Sequence, residues 1–306
     1  MDLLQWLSQW LLVAAIPYFV LLMVTEFVAQ RRDGKAAGGA YVAPDIAVSL
    51  TMGLGKLAMI ALCAGYTATA FAWVYEHRVF TLSPLTWWTW VLLFFADDLV
   101  YYIYHRAAHR VRFLWAEHVN HHSSQHYNLG TALRQSLIGP AYVFVYWLPL
   151  AWLGFHPLAI VVQMAVSLLY QYWIHTERIT TLGWFEAVFN TPSHHRVHHG
   201  SNGIYLDRNY AGILIIWDKL FGTFQPERAD VPVRYGLVHN VDSYFLPKVI
   251  FHEWLLIVRR VLAARSWRER LGWIFGPPEW SPQGPQWPPD HPAYRQRLSP
   301  AAEPRA

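Results

Sequence analysis

Apolar and polar residues fall along this chain in long blocks. Five apolar stretches stand out: about Trp10 to Ala29, Ile46 to Tyr75 (interrupted by Lys56), Leu85 to Tyr104, Leu137 to Leu153 and Pro157 to Ile174. A helix of about 20 apolar residues crosses the hydrocarbon core of a bilayer, so each stretch spans or nearly spans a membrane. The breaks between them are polar or helix-breaking: QRRDGKAAGG, EHRVFTLSP, and the Gly154…Pro157 junction. This pattern predicts an all-α, polytopic membrane bundle of about four or five spanning or near-spanning helices. Three regions follow: membrane helices over 1–84, a core over 85–240, and 241–306. In the last region, residues 245–262 mix apolar residues with Lys248, Glu253, Arg259 and Arg260, as an amphipathic interfacial helix does. The Pro-rich tail beyond Gly276 reads as irregular.

Composition agrees. The chain has 306 residues, of which 54% are hydrophobic and 14% charged, against about a quarter charged in a soluble domain. Its 17 Trp and 17 Tyr suit aromatic belts at two lipid–water boundaries. The net charge of +4 reads as attraction to anionic lipid. No basic stripe with interleaved aromatics is present, so a nucleic-acid partner is not expected. The single cysteine, Cys63, lies in an apolar run and excludes both an intrachain disulfide and a thiolate-rich metal site. The N-terminus lacks a basic region before its long apolar run, so no cleavable secretory signal is expected.

Topology follows from the same blocks. The Arg31/Arg32/Lys35 loop belongs in the cytoplasm by the positive-inside rule. The second stretch then exits, the third returns, and the fourth and fifth form a hairpin. Everything from His175 to Phe224 ends on the cytoplasmic face, together with the end of the third stretch.

Histidine clusters on that face. The bursts are HRAAH (His105, His109), HVNHH (His118, His121, His122) and HHRVHH (His194, His195, His198, His199). Residues three or four apart share a helix face, so H-x-x-x-H aims two imidazoles at one point and H-x-x-H-H aims three. Neutral imidazole is the commonest metal ligand. Eight or more convergent rings exceed one ion's coordination number, so the pattern asks for two metals in a histidine-rich helical cap. His77, His156, His239, His252 and His291 stand apart and read as ordinary core or surface residues. Asp98, two helical turns before His105, is a candidate partner for a ligating imidazole or a nearby tyrosine. Asp97 is the weaker candidate. Tyr101, Tyr102 and Tyr104 read as interface aromatics, and Asn128, Glu177, Asp207, Asn209 and Asp218 as caps, turns or surface residues at least as readily as helpers.

The motif order resembles the fatty acid hydroxylase/sterol desaturase superfamily of membrane di-iron oxygenases, over roughly residues 85–240. Within it, DDLVYYIYHRAAH, HHSSQHYNLGTALRQS, YQYWIHTE, NTPSHHRVHHGSN and DRNYAGILIIWDKLFGTF look most similar to the alkylglycerol monooxygenase branch. The resemblance implies metal ligands at His105, His109, His118, His121, His122, His195, His198 and His199, and an additional family histidine at His175. His194 falls one residue early and reads as a neighbour, and His126 matches no motif position. Two iron ions, dioxygen, a membrane-lipid substrate and a separate electron donor are implied, with tetrahydrobiopterin in the alkylglycerol monooxygenase branch. This chain ends without the hydrophobic bundle that follows the core there. Hydroxylation and desaturation begin with the same hydrogen abstraction, so sterol C-5 desaturase and bacterial aminolipid hydroxylase activities are the nearest alternatives. A metal transporter would scatter its ligands at mid-bilayer depth, and a zinc hydrolase would carry H-E-x-x-H, which is absent.

Overall fold

The computed structural model describes residues 3–33 and 40–292. Lys35, part of the predicted cytoplasmic loop, and the end of the Pro-rich tail lie outside the described residues. Within them the chain is all-helical, without named strands. The first apolar stretch becomes two consecutive helices, α1 (Leu3–Ala14) and α2 (Ile16–Asp33), broken near Pro17. The second is the 34-residue α3 (Ala43–Glu76), which starts with Pro44 in its first turn, where a missing N–H costs nothing. Leu3–Asp33 and Ala43–Glu76 are long and apolar enough to cross a membrane.

The third stretch forms α4 (Trp87–Arg110). This helix does not stop at Tyr104; it continues through both His105 and His109. After α5 (Arg112–His122), the fourth predicted stretch is not one helix. Pro140 and Pro149 cannot donate to a helical ladder, and residues 139–147 form short 3₁₀ turns before the six-residue α6 (Leu148–Leu153). Gly154 closes α6 at φ 110°, where a β-carbon would strike the carbonyl of Phe80. The fifth stretch is α7 (Pro157–Trp173), capped by the His156 ring accepting from Leu158 N at 3.2 Å. Next come α8 (Pro192–His198) and α9 (Ile216–Leu220). The expected amphipathic helix is α10 (Leu246–Ala263), followed by α11 (Trp267–Phe275).

These helices divide the bundle into two ends. At one, Phe71, Leu93, Trp147, Leu150, Phe155 and Ile160 form an apolar core between α3, α4, α6 and α7. The other end gathers the start of α3, the end of α4, α5, and the residues after α7. The buried Glu26 of α2 ties in there, accepting from Leu129 N at 2.9 Å and from the hydroxyls of Thr176 and Tyr41. α10 packs on α5 and, through Val249 and Ile250, on Val48 and Met52 of α3. The tail to residue 292 is irregular as expected but well seated: Arg112 donates to the carbonyls of Pro278 and Trp280.

Candidate metal centre

Nine histidines meet at this second end in two groups. His105, His109, His118, His122 and His198 form one; His121, His175, His195 and His199 form the other. Within each, one ring nitrogen per residue lies within 4.8 Å of all the others. The division follows from helix geometry. On α4, His105 and His109 are four apart and share a face. On α5, His118 and His122 are four apart and join the same group, while His121 turns to the second. His195 on α8 and His199, which caps that helix, are four apart and enter the second group, while His198 crosses to the first. The H-x-x-H-H motif therefore does not aim three rings at one point, as its spacing suggested. Rings three or one apart diverge enough to serve two neighbouring centres, and α5 and α8 each contribute to both. The groups adjoin, with the His122 and His199 rings stacked at 4.4 Å.

Loops orient the rings. His105 Nδ1 donates to the Tyr210 carbonyl at 2.7 Å, His175 Nδ1 to the Gln171 carbonyl at 2.7 Å, and His198 Nδ1 to the Arg208 carbonyl at 3.0 Å. The Asp207 carboxylate faces His109 Nδ1 at 3.6 Å and is held by Arg110 at 2.8 Å. A proton fixed on Nδ1 leaves the Nε2 lone pair for a metal. The segment 207–210 thus serves three rings of the first group from consecutive turns. Its shape requires left-handed backbone at Asp207 (φ 58°) and Asn209 (φ 56°), conformations that Asp and Asn tolerate better than most residues.

Two buried acids hold that segment. Asp218 accepts from Tyr210 N and Ala211 N, both at 2.8 Å. Asp98 accepts from Ile213 N at 2.8 Å, Leu214 N at 2.9 Å and Trp217 Nε1 at 2.9 Å. Asp98 therefore bonds neither an imidazole nor a tyrosine, contrary to expectation: its two oxygens are saturated by the loop, and it positions His105 only through Tyr210. Asp97 instead accepts from Trp147 Nε1 at 2.7 Å. The tyrosines of α4 make contacts within the protein. Tyr102 is buried with its hydroxyl 2.9 Å from Thr223, Tyr101 lies against His105, and Tyr104 donates to Glu117 at 3.2 Å. These three positions face neighbouring side chains (Tyr101 the His105 ring, Tyr102 Phe221 and Tyr210, Tyr104 Tyr146 and Trp147), while Ile103 between them is exposed. Asn128, Glu177 and Asn209 make turn and loop bonds, as expected. His194 packs on Phe224, and neither it nor His126 joins a group.

The rings are dressed for metal. Four Nε2–Nε2 separations fall at 2.9–3.1 Å: His105–His118, His118–His122, His121–His175 and His175–His195. Two imidazole nitrogens at about 2.1 Å from one ion, at a right angle, stand about 3.0 Å apart. Nε2 of His109, His198 and His199 is buried without a hydrogen-bond partner, which is costly unless something else occupies it. Burial first, then the charge of neighbouring rings, pushes His118, His121, His122, His195, His198 and His199 well below the ordinary histidine value. Burial pushes His175 down to about 4. Neutral rings of this kind are competent ligands.

Residues 90–223 match the family model described as fatty acid hydroxylase. The chain carries a fatty acid hydroxylase domain. That domain holds all nine grouped histidines and the loop that orients them. Over 274 residues the chain is 40% identical to the alkylglycerol monooxygenase of Homo sapiens, covering 89% of this chain and 60% of that protein. The alkylglycerol monooxygenase of Danio rerio is 39% identical over 275 residues, with the same coverage. An ornithine lipid hydroxylase of Rhizobium tropici is 27% identical over 258 residues, 78% of this chain and 72% of the relative. The chain therefore spans 60% of the length of the alkylglycerol monooxygenases just named. No solved structure matches it. The helices Leu3–Asp33 and Ala43–Glu76, which precede this domain, are long and apolar enough to cross a membrane, as in a membrane protein.

Proposed function

We propose that the chain is a multi-pass membrane oxygenase that hydroxylates a C–H bond of a lipid, with its site on the cytoplasmic side. The observation that carries this is the pairing of five and four convergent imidazoles at one end of an apolar bundle. His105, His109, His118, His122 and His198 would hold one iron ion, and His121, His175, His195 and His199 the other. The irons would supply dioxygen activation and attack on an unactivated C–H bond. The balance is R–H plus O2, two electrons and two protons giving R–OH and water. The chain's own part is positional. Carbonyls of Gln171, Arg208 and Tyr210 keep Nδ1 protonated on three ligands, Asp207 faces a fourth, and the buried surroundings exclude water. Desaturation begins with the same abstraction and is the nearest alternative outcome. Electrons come from a separate donor, and the likeness to alkylglycerol monooxygenases favours tetrahydrobiopterin as that donor.

Reconstituted protein, supplied with ¹⁸O2 and either a reductase system or tetrahydrobiopterin, tests this. Lipid and aqueous fractions are analysed by mass spectrometry, and metals are quantified alongside. We expect near two irons per chain and one labelled oxygen in lipid. Label confined to soluble metabolites overturns the lipid assignment; activity without iron or another redox metal overturns the mechanism.

A further inference from the structure

A polar cavity of about 230 Å³ lies beside the histidine end, lined by Asp45, Ser123, Gln125, Arg134, Asp242 and Tyr244 among others. Ser123 directly follows His122, so the cavity wall continues into the ligand-bearing end of α5. Its groups are unevenly satisfied. Asp45 is fully used, taking Arg134 Nη1 at 2.8 Å on one oxygen and the Ser124 hydroxyl at 2.8 Å on the other. Arg134, only 2% exposed, spends Nε on Ser123 at 3.0 Å and Nη1 on Asp45. Nη2 has no hydrogen bond within the described residues. Asp242, exposed at the rim, accepts from Gln125 Nε2 at 3.0 Å on Oδ1, and its Oδ2 takes no hydrogen bond from the described residues. The lining thus offers an unused guanidinium donor and an unused carboxylate oxygen, and its formal charge is one negative in excess. An anionic ligand would meet the exposed Asp242 carboxylate at the cavity rim, and a purely cationic one would leave the buried Arg134 donor unmet. A zwitterion answers both.

The cavity also borders exposed aromatic surface at Tyr244. Tyr244 and Phe245, 46% and 68% exposed, lead into α10, whose Leu255 and Leu262 are exposed along the same helix. We propose that this cavity seats the headgroup of a zwitterionic lipid, an ammonium beside a phosphate or carboxylate, with the oxyanion toward Arg134 and the ammonium toward Asp242. That this lipid is the substrate rests on the oxygenase reading above; the binding itself does not. One headgroup bond to a charged partner changes affinity by roughly tenfold.

The test uses the full chain, purified in uncharged detergent. Binding of dihexanoyl phosphatidylethanolamine, dihexanoyl phosphatidylglycerol, dihexanoylglycerol and free phosphoethanolamine is measured by native mass spectrometry. We expect the ethanolamine lipid to bind about tenfold tighter than the other two lipids, and free phosphoethanolamine to bind weakly. Asp242→Asn, which keeps a residue type suited to its φ of 46°, should erase that preference while metal content stays unchanged. Equal binding of the three lipids by the wild type overturns the proposal, as does an intact preference in Asp242→Asn. Free phosphoethanolamine binding as tightly as the lipid would make the ligand a soluble zwitterion and overturn the lipid assignment. Selective binding without any oxygen transfer to a zwitterionic lipid leaves the headgroup site standing and counts against the oxygenase reading instead.

Discussion

A single imidazole carries different weight here depending on which group it enters. His121 belongs to the group of four, so His121→Ala leaves three rings there and the group of five intact. We expect turnover to vanish and bound iron to fall by about half, with protein still in the membrane fraction. His291→Ala, in the irregular tail beside Trp287, should leave both unchanged; equal effects of the two would remove the special standing of the histidine groups. Asp207→Asn keeps the backbone at φ 58° but removes the charge facing His109, and should weaken metal retention by roughly 10–100-fold, read by competition with a chelator. Acid should act through the same rings. The folded-state values of His118, His121, His122, His195, His198 and His199 are depressed, and that of His175 falls to about 4, against about 6.5 in an unfolded chain. Between those values the unfolded state binds more protons. The metal-free protein should therefore lose stability as pH falls from about 6.5 toward 4, while a loaded sample resists until its metal leaves. A flat melting profile across that window in the metal-free protein would contradict the burial of neutral rings.

At the scale of elements, the segment from Asp207 to Trp217 links remote acids to the metal end. Asp98 on α4 bonds three N–H groups of that segment, and Asp218 bonds two. Asp98→Asn puts an amide where one oxygen accepted, and should cost about 2 kcal/mol, measured by denaturant or thermal unfolding. Gly212→Ala should loosen the same clamp, because a β-carbon there would lie 2.8 Å from the Tyr101 ring and 3.0 Å from Asp98. Both variants should lower iron content in the first group, since the Tyr210 carbonyl that orients His105 moves with the segment. On α8, Arg196 plays a matching part from the opposite face. It donates to the carbonyls of Thr176, Ile179 and Thr180 and pairs with Glu227, which fastens the helix beside His175.

For the whole molecule, the arrangement separates an apolar end from a chemical end. The 77–86 connection joins the far ends of α3 and α4, while His105 and His109 lie at the other end of α4. With Cys63 replaced by serine, a cysteine at Ser83 should react with an impermeant maleimide from outside the cell. A cysteine at Ser201, just beyond α8, should react only after the cytoplasmic face is opened. Reaction of both from one side would overturn the topology drawn from Arg31 and Arg32.

The sequence by itself determined which residues are apolar, which are histidine and how far apart they stand. From that followed the helical class, the long α3, the amphipathic α10 and eight of the nine histidines that meet, because burial and a 3.6-residue period act locally and leave a direct trace; the ninth, His175, stands outside the bursts and was marked only by the family resemblance. The division of those nine into five and four was decided only by tertiary structure: it depends on how α4, α5, α7 and α8 are rotated against one another, and spacing along one helix carries no record of its neighbours. The same holds for Asp98. Its place two turns before His105 suggested an imidazole partner, but 115 residues separate it from the Ile213 N–H it accepts. A buried carboxylate takes whichever donors the folded chain brings within reach, and here a loop arrived first.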